Sequence, residues 1–188
     1  VKKIGYNPNQ GQEGVHACPA RIRLVAGGER GGKSRVGACD MTARLMEGSL
    51  YWLIAADYER TRPEFDYLLA NAQKLGFSID ASKNVDPGYI NLPEIGVHIE
   101  TKSARDPRRL AAQAPDGILV CEASQITYED FLRTRGRIAE KRGWMLLTGT
   151  FESSLGWYPE LFTRGQAPNK DELVSFSLPS WSNYFIFP

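Results

Sequence analysis

An α/β fold, a mostly parallel central sheet with helices on both faces, is predicted by three features of this 188-residue chain. Strand-like apolar runs alternate with segments of helical periodicity, the order that βαβ units produce. Two runs, 118–121 and 143–147, are almost wholly apolar, as strands buried on both faces require. Between the first strand and the helix that follows lies Gly27-Gly28-Glu29-Arg30-Gly31-Gly32-Lys33-Ser34, which fits the phosphate-binding pattern G-x-x-x-x-G-K-S/T.

Each element has a local reason. Ile22–Ala26 reads as a short strand and Lys33–Met46 as a helix with Val36, Cys39, Ala43 and Met46 on one side. Tyr51–Ala56 is a strand. Arg62–Leu75 is a helix, with Phe65, Leu68, Leu69, Ala72 and Leu75 at helical spacing. Gly76–Ile95 is rich in turn residues and has room for a short hairpin. Val97–Thr101 alternates like a strand, and Pro107–Gln113 suggests a short helix. Ile118–Cys121 is a buried strand. Thr127–Lys141 is a helix with Tyr128, Phe131, Leu132, Arg135 and Ile138 on its apolar side. Gly143–Leu147 is another buried strand, followed by a helix near Leu155–Arg164, a strand Leu173–Ser177 and a strand-like tail, Tyr184–Pro188.

Composition bounds the function classes. Apolar content of 42% and charge of 24% are globular values, and the length suits one domain. A net charge of +1 gives no bulk pull toward nucleic acid, although local basic patches remain open. Cys18, Cys39 and Cys121 show no metal-ligand spacing and suggest a reducing compartment; His16 and His98 suggest no metal site. No apolar run approaches the ~20 residues of a membrane span, and no signal peptide is evident. A start without Met and a stop after a strand-like segment suggest a piece of a longer chain.

The glycine loop carries the sharpest chemistry. Its glycines let backbone N–H groups crowd around phosphate oxygens, and the helix from Lys33 adds its positive N-terminal end. Lys33 is expected to reach the β- and γ-phosphates and Ser34 to bind Mg²⁺. Gly27, Gly28, Glu29, Arg30, Gly31, Gly32 and Arg35 complete the expected nucleotide-binding set. A second element, Gly117-Ile118-Leu119-Val120-Cys121-Glu122-Ala123, ends an apolar strand in a carboxylate, at the end of a parallel sheet where ligands bind. Glu122 is expected to activate the attacking water or to serve the metal. The usual pattern has Asp where this chain has Cys121, which leaves the metal-side carboxylate unexplained. Mg²⁺ held mainly by Ser34, phosphates and waters is one answer, since this ion retains water readily. The two elements together predict a P-loop NTPase fold of the ASCE type.

Several ordered segments together resemble the ATPase domain of the large terminase subunit, the DNA-packaging motor of tailed bacteriophages. They are Tyr6-Asn7-Pro8 with Gly11-Gln12 and His16; the P-loop with its internal Arg30; 120–126 (Val-Cys-Glu-Ala-Ser-Gln-Ile); Leu147-Thr148-Gly149-Thr150; Gly156-Trp157-Tyr158 with Glu160-Leu161-Phe162 and Arg164-Gly165; and Pro179-Ser180-Trp181-Ser182-Asn183 near the lid. The resemblance spans most of the chain, with Cys121 as the departure. It implies one P-loop ATPase domain over 1–188, hydrolysing ATP with Mg²⁺ to drive double-stranded DNA into a procapsid. The domain would act in a homo-oligomeric ring at the portal protein in the host cytoplasm, with a small terminase subunit as partner. The nuclease domain that normally follows has no counterpart in these residues, so no DNA cleavage is expected of them.

Individual roles follow from the same resemblance. Gln12 would read adenine, for which its amide has the donor and acceptor geometry. An arginine supplied in trans is expected in Ser103–Leu110, with Arg109 first and Arg108 second; Arg30 could reach the γ-phosphate or a neighbouring subunit. Thr148, Gly149 and Thr150 would couple hydrolysis to movement. Each also has an ordinary reading: Gln12 as an exposed amide, Arg109 as a surface cation beside a helix, the threonines as helix N-caps. Three other functions fit the P-loop: a small-molecule kinase or phosphotransferase, a helicase-like DNA-dependent ATPase, and a nucleotide switch with negligible turnover.

Overall fold

The apolar runs form the middle of an eight-stranded sheet, in the order β3-β4-β5-β2-β6-β7-β1-β8. The computed structural model describes residues 2–111, 113–167 and 172–183. The strands are β1 (Ile22–Gly27), β2 (Leu50–Ala55), β3 (Asp80–Ala81), β4 (Tyr89–Leu92), β5 (Val97–Ser103), β6 (Gly117–Val120), β7 (Trp144–Gly149) and β8 (Leu173–Leu178). From β5 to β8 every neighbouring pair is parallel, and only the β3–β4–β5 edge is antiparallel. That edge supplies the short hairpin expected within Gly76–Ile95. β7 lies between β1 and β6, so one strand separates the P-loop strand from the acidic strand. The tail 184–188 lies outside the described residues.

Successive side chains of a strand face opposite ways, so the sheet feeds two cores. Tyr51 and Leu53 of β2 join a cluster with Val36 and Met41 of α2 (Lys33–Arg44) and with Phe65 and Leu68 of α3 (Arg62–Leu75). Trp52 and Ile54 join the opposite cluster, with Phe131 of α5 (Tyr128–Arg137) and Leu161 of α6 (Trp157–Gly165). Helices therefore cover both faces. α3 has the bounds that its periodicity predicts, with Pro63 in its first turn and left-handed Gly76 after its end.

Two expectations about apolar faces need correction. On α2 the buried stretch is 36–41, while Ala43 and Met46 are exposed. The α-helix stops at Arg44 and tightens into a 3₁₀ turn at Leu45–Glu47, which rotates Met46 outward. Polar Asp40 is buried instead, because Arg23, the second residue of β1, meets it through two bonds of 2.8 and 2.7 Å. On α5, Phe131 and Ile138 are buried but Tyr128 and Leu132 are exposed, since Asp130 and Thr134 take inward positions. A helix absent from the sequence reading, α1 (Gln10–Ala17), packs against β8. The remaining helix, α4 (Pro107–Leu110), is shorter than the expected Pro107–Gln113.

Candidate active site

The P-loop leaves β1 at Gly27 and enters α2 at Lys33. Gly32 caps α2 in the left-handed conformation (φ 82°), and a Cβ there would lie 2.8 Å from the Gln12 Nε2. Arg30 also takes positive φ (59°), uncommon for a residue with a side chain and found most often where function over-determines the backbone. Lys33 is buried, and its ammonium donates to the Gly28 carbonyl across the loop at 2.9 Å. The chain's far end completes the turn. Ser180 donates its hydroxyl to the Glu29 carbonyl at 2.6 Å, and Asn183 donates its amide to the Arg30 carbonyl at 2.7 Å.

A cleft of about 730 Å³ opens over the loop. Glu29, Arg30, Gly32, Lys33, Ser34 and Arg35 line one side; Glu122, Gln125, Thr150 and Glu152 line the other. A second pocket of about 380 Å³ adjoins it and holds Tyr6, Asn7, Asn9 and Gln12. Gly32, Arg35, Tyr67 and Asn183 border both spaces. The Arg35 guanidinium lies over the rings of Tyr6 (5.7 Å) and Tyr67 (5.2 Å), which stiffens the wall between them.

Gln12 lines the second pocket. Its Oε1 already accepts from the Asn9 N–H at 3.0 Å, half of a capping box that starts α1. One carbonyl lone pair and the amide donors are left for a ligand. His16 does not line the pocket. It bridges Tyr6 and Asp40 at 3.1 and 3.2 Å, so its part is to fix Tyr6 to the buried Arg23–Asp40 pair.

Glu122 follows β6 in the left-handed conformation (φ 47°, ψ 53°), which turns the chain away from the sheet and sets this side chain on the cleft wall. Cys121 before it is fully buried. The coupling segment divides. Thr150 faces the cleft, whereas Thr148 is buried and donates to the Val120 carbonyl of β6 at 3.3 Å. Gly149 is held close to Tyr158, whose hydroxyl donates to the Val25 carbonyl of β1 at 3.1 Å.

Two acidic residues were missed, Glu152 on the cleft wall and Glu64. Glu64, in the first turn of α3, is only 2% exposed. Burial pushes its carboxyl up to about 7; the charge of Glu122 adds to the rise, and the Ser34 hydroxyl and Cys121 thiol offset part of it. Its Oε2 has no hydrogen-bond partner among the described residues. A glutamate in a helix's first turn ordinarily reads as a solvated residue favoured by the helix dipole, so the sequence held no cue. Arg60, paired with Asp57 at 2.9 Å, was missed as well and lines the cleft.

Arg109 lies elsewhere. It bonds Tyr58 at 3.2 Å and Asp106 at 3.3 Å and borders a separate hollow beside Tyr89 and His98. Within one chain it does not reach the P-loop cleft; it and Arg108 are exposed on the surface. Among the described residues no three His, Cys, Asp or Glu side chains are grouped to hold a metal by themselves. The chemistry of Ser34, Glu122 and Glu64, with the orphaned Oε2, does fit a Mg²⁺ shared with phosphate oxygens, because this ion commonly takes one or two carboxylates and keeps waters.

No protein-family model and no curated protein matches the sequence. Solved structures do match in shape. The ATPase domain of the large terminase of Thermus phage P74-26 is 20% identical, with a TM-score of 0.78 over 98% of this chain and 86% of that one. The large terminase of a thermophilic bacteriophage, in complex with ADP, is 11% identical, with a TM-score of 0.76 over 94% of this chain and 46% of that one. The large terminase of bacteriophage HK97 is 10% identical, with a TM-score of 0.72 over 90% of this chain and 39% of that one. The chain thus spans under half of these last two proteins and most of the isolated domain. With its mostly parallel sheet, its P-loop and helices on both faces, the chain has the α/β P-loop ATPase fold seen in phage large-terminase ATPase domains.

Proposed function

We propose that residues 1–188 form the ATP-hydrolysing domain of a motor that moves double-stranded DNA into a viral procapsid. The observation that carries this reading is the convergence of Lys33, Ser34, Glu122 and Thr150 on one cleft that adjoins the Gln12 pocket. The likeness in fold to large-terminase ATPase domains narrows the class of P-loop enzyme. Structures of the thermophilic bacteriophage's large terminase in complex with ADP and with ATP-γ-S support nucleotide binding by this fold.

In this reading adenine enters the smaller pocket, where Gln12 meets its edge and Tyr6 lies against it. The phosphates lie across the loop. Lys33 exchanges the Gly28 carbonyl for phosphate oxygens, and the loop N–H groups face the same charge. Ser34 and Glu122 would hold Mg²⁺, which when bound would neutralise charge developing on the transferred phosphoryl group. Glu122 orients and deprotonates the attacking water. Thr150 senses the γ-phosphate, and Thr148 ties that strand end to β6 beside Glu122. Arg109 completes a neighbouring subunit's site in trans, which its distance from its own cleft suits. The ring assembles at the portal in the host cytoplasm, with a small terminase subunit bringing DNA.

Steady-state ATP hydrolysis against protein concentration, with and without double-stranded DNA, tests this. Specific activity should climb steeply with concentration and with DNA, Lys33→Ala should be inactive, and a mixture of Arg109→Ala with Glu122→Gln should regain activity that neither has alone. Activity per molecule that is flat with concentration, indifferent to DNA and unaffected by Arg109→Ala would overturn the motor and favour a self-contained phosphotransferase.

A further inference from the structure

Cys121 stands where P-loop ATPases usually carry an aspartate, and a thiol is a poor partner for Mg²⁺, a hard ion that takes oxygen ligands. The structure brings another carboxylate to this place from a different element. Glu64, in the first turn of α3, lies near enough to Ser34, Cys121 and Glu122 for all three to act on its carboxyl. It is 2% exposed, and its Oε2 is buried without a hydrogen-bond partner among the described residues.

Taking the nucleotide reading above as its basis, we infer that Glu64 is the positioning carboxylate of the metal side of this site, replacing the one that β6 lacks. In this role its carboxylate accepts a hydrogen bond from the Ser34 hydroxyl. The lone pairs of the Ser34 oxygen then face the cleft, where Mg²⁺ is shared with the phosphates. The free Oε2 is left to accept from a metal-bound water. Carboxylates behind a metal ligand commonly act in this way, fixing the ligand's orientation and raising its basicity. Two facts favour this role over a purely structural one. A buried carboxylate oxygen with no partner destabilises a fold unless something else compensates it, and a divalent cation one ligand away does so. Glu64 also neighbours Glu122, and two carboxylates on one buried site are a cation's natural surroundings rather than each other's.

The test compares ATP-γ-S affinity in Mg²⁺ with that in EDTA, for wild type, Glu64→Gln, Cys121→Asp and the double variant, alongside melting temperatures without nucleotide. Wild type should bind more tightly in Mg²⁺. Glu64→Gln should lose about 10- to 100-fold of that Mg²⁺ advantage while keeping its affinity in EDTA and melting no lower than wild type. Glu64→Gln with Cys121→Asp should recover the advantage, because the carboxylate returns on β6. Cys121→Asp alone should melt lower, with two carboxylates crowded on one site. An unchanged Mg²⁺ advantage in Glu64→Gln, an equal loss of affinity in EDTA, or no recovery in the double variant would each overturn the inference. If wild type binds no ATP-γ-S under either condition, the nucleotide reading itself fails, and this inference fails with it.

Discussion

Asn183 donates its side-chain amide to the carbonyl of Arg30 at 2.7 Å, across 153 residues of sequence. Arg30 is the P-loop residue with positive φ, so the bond secures the loop where its backbone is least favoured. Asn183→Ala should cost about 0.5–1.5 kcal/mol of stability. It should also speed hydrogen exchange of the loop amides and weaken ATP-γ-S binding. Exchange mass spectrometry on the variant checks this; unaltered loop protection would show that the loop holds its shape without the bond.

Gly32→Ala should be damaging for two reasons. The left-handed backbone costs a residue with a Cβ about 1–2 kcal/mol. The new methyl would also press on the Gln12 amide. Urea denaturation should show that loss, and nucleotide affinity should fall further than stability does, because the clash displaces a pocket residue.

The Arg23–Asp40 pair anchors α2 to β1 in the interior. Asp40→Ala leaves Arg23 buried without its carboxylate, and breaking a buried pair in this way costs about 3–5 kcal/mol. Burial pushes the Asp40 carboxyl up, but the His16 bond and the Arg23 charge outweigh it and hold the carboxyl below its ordinary value. The folded state therefore prefers the ionised form more than the unfolded chain does. This stabilisation is present above the ordinary carboxyl range and is lost as pH falls through it. Urea midpoints measured from neutral to acid pH should drop less steeply in Asp40→Asn than in wild type.

Glu122→Gln should separate binding from chemistry. With the isosteric amide, ATP-γ-S affinity should stay close to wild type while kcat falls about 10²–10⁴-fold, the usual range for a general base. A kcat within threefold of wild type would remove Glu122 from the reaction.

Arg60 and Arg109, both exposed, should behave differently. Arg60 faces its own cleft and Arg109 does not. Arg60→Ala should weaken ATP-γ-S binding in dilute protein, with no recovery on mixing. Arg109→Ala should bind normally in dilute protein and show its defect only in concentrated protein.

Patterns confined to one segment could be read directly. The P-loop, the bounds of α3 and the buried strands near 118–121 and 143–147 all announce themselves through neighbouring residues. α1 did not, because Gly11 and Gly14 are poor helix formers. The packing explains one of them: a Cβ at Gly11 would lie 2.9 Å from the Leu178 side chain, so glycine lets α1 approach β8. The inward face of α2 depends on Arg23, a polar residue in a strand, and no apolar periodicity describes a buried ion pair. Glu64, Arg60 and Tyr67 join the site only because α3 and the turn before it pack beside α2. Residues that a tertiary contact recruits carry no mark in their own segment.

The closing of the P-loop by Ser180 and Asn183 has a consequence for synthesis. The loop is made early, at residues 27–34, but the groups that secure Glu29 and Arg30 emerge from the ribosome some 150 residues later. The strand β8 that leads to them must also pair with β1 before they are in place. A nascent chain that carries a complete phosphate-binding motif therefore still lacks its finished site.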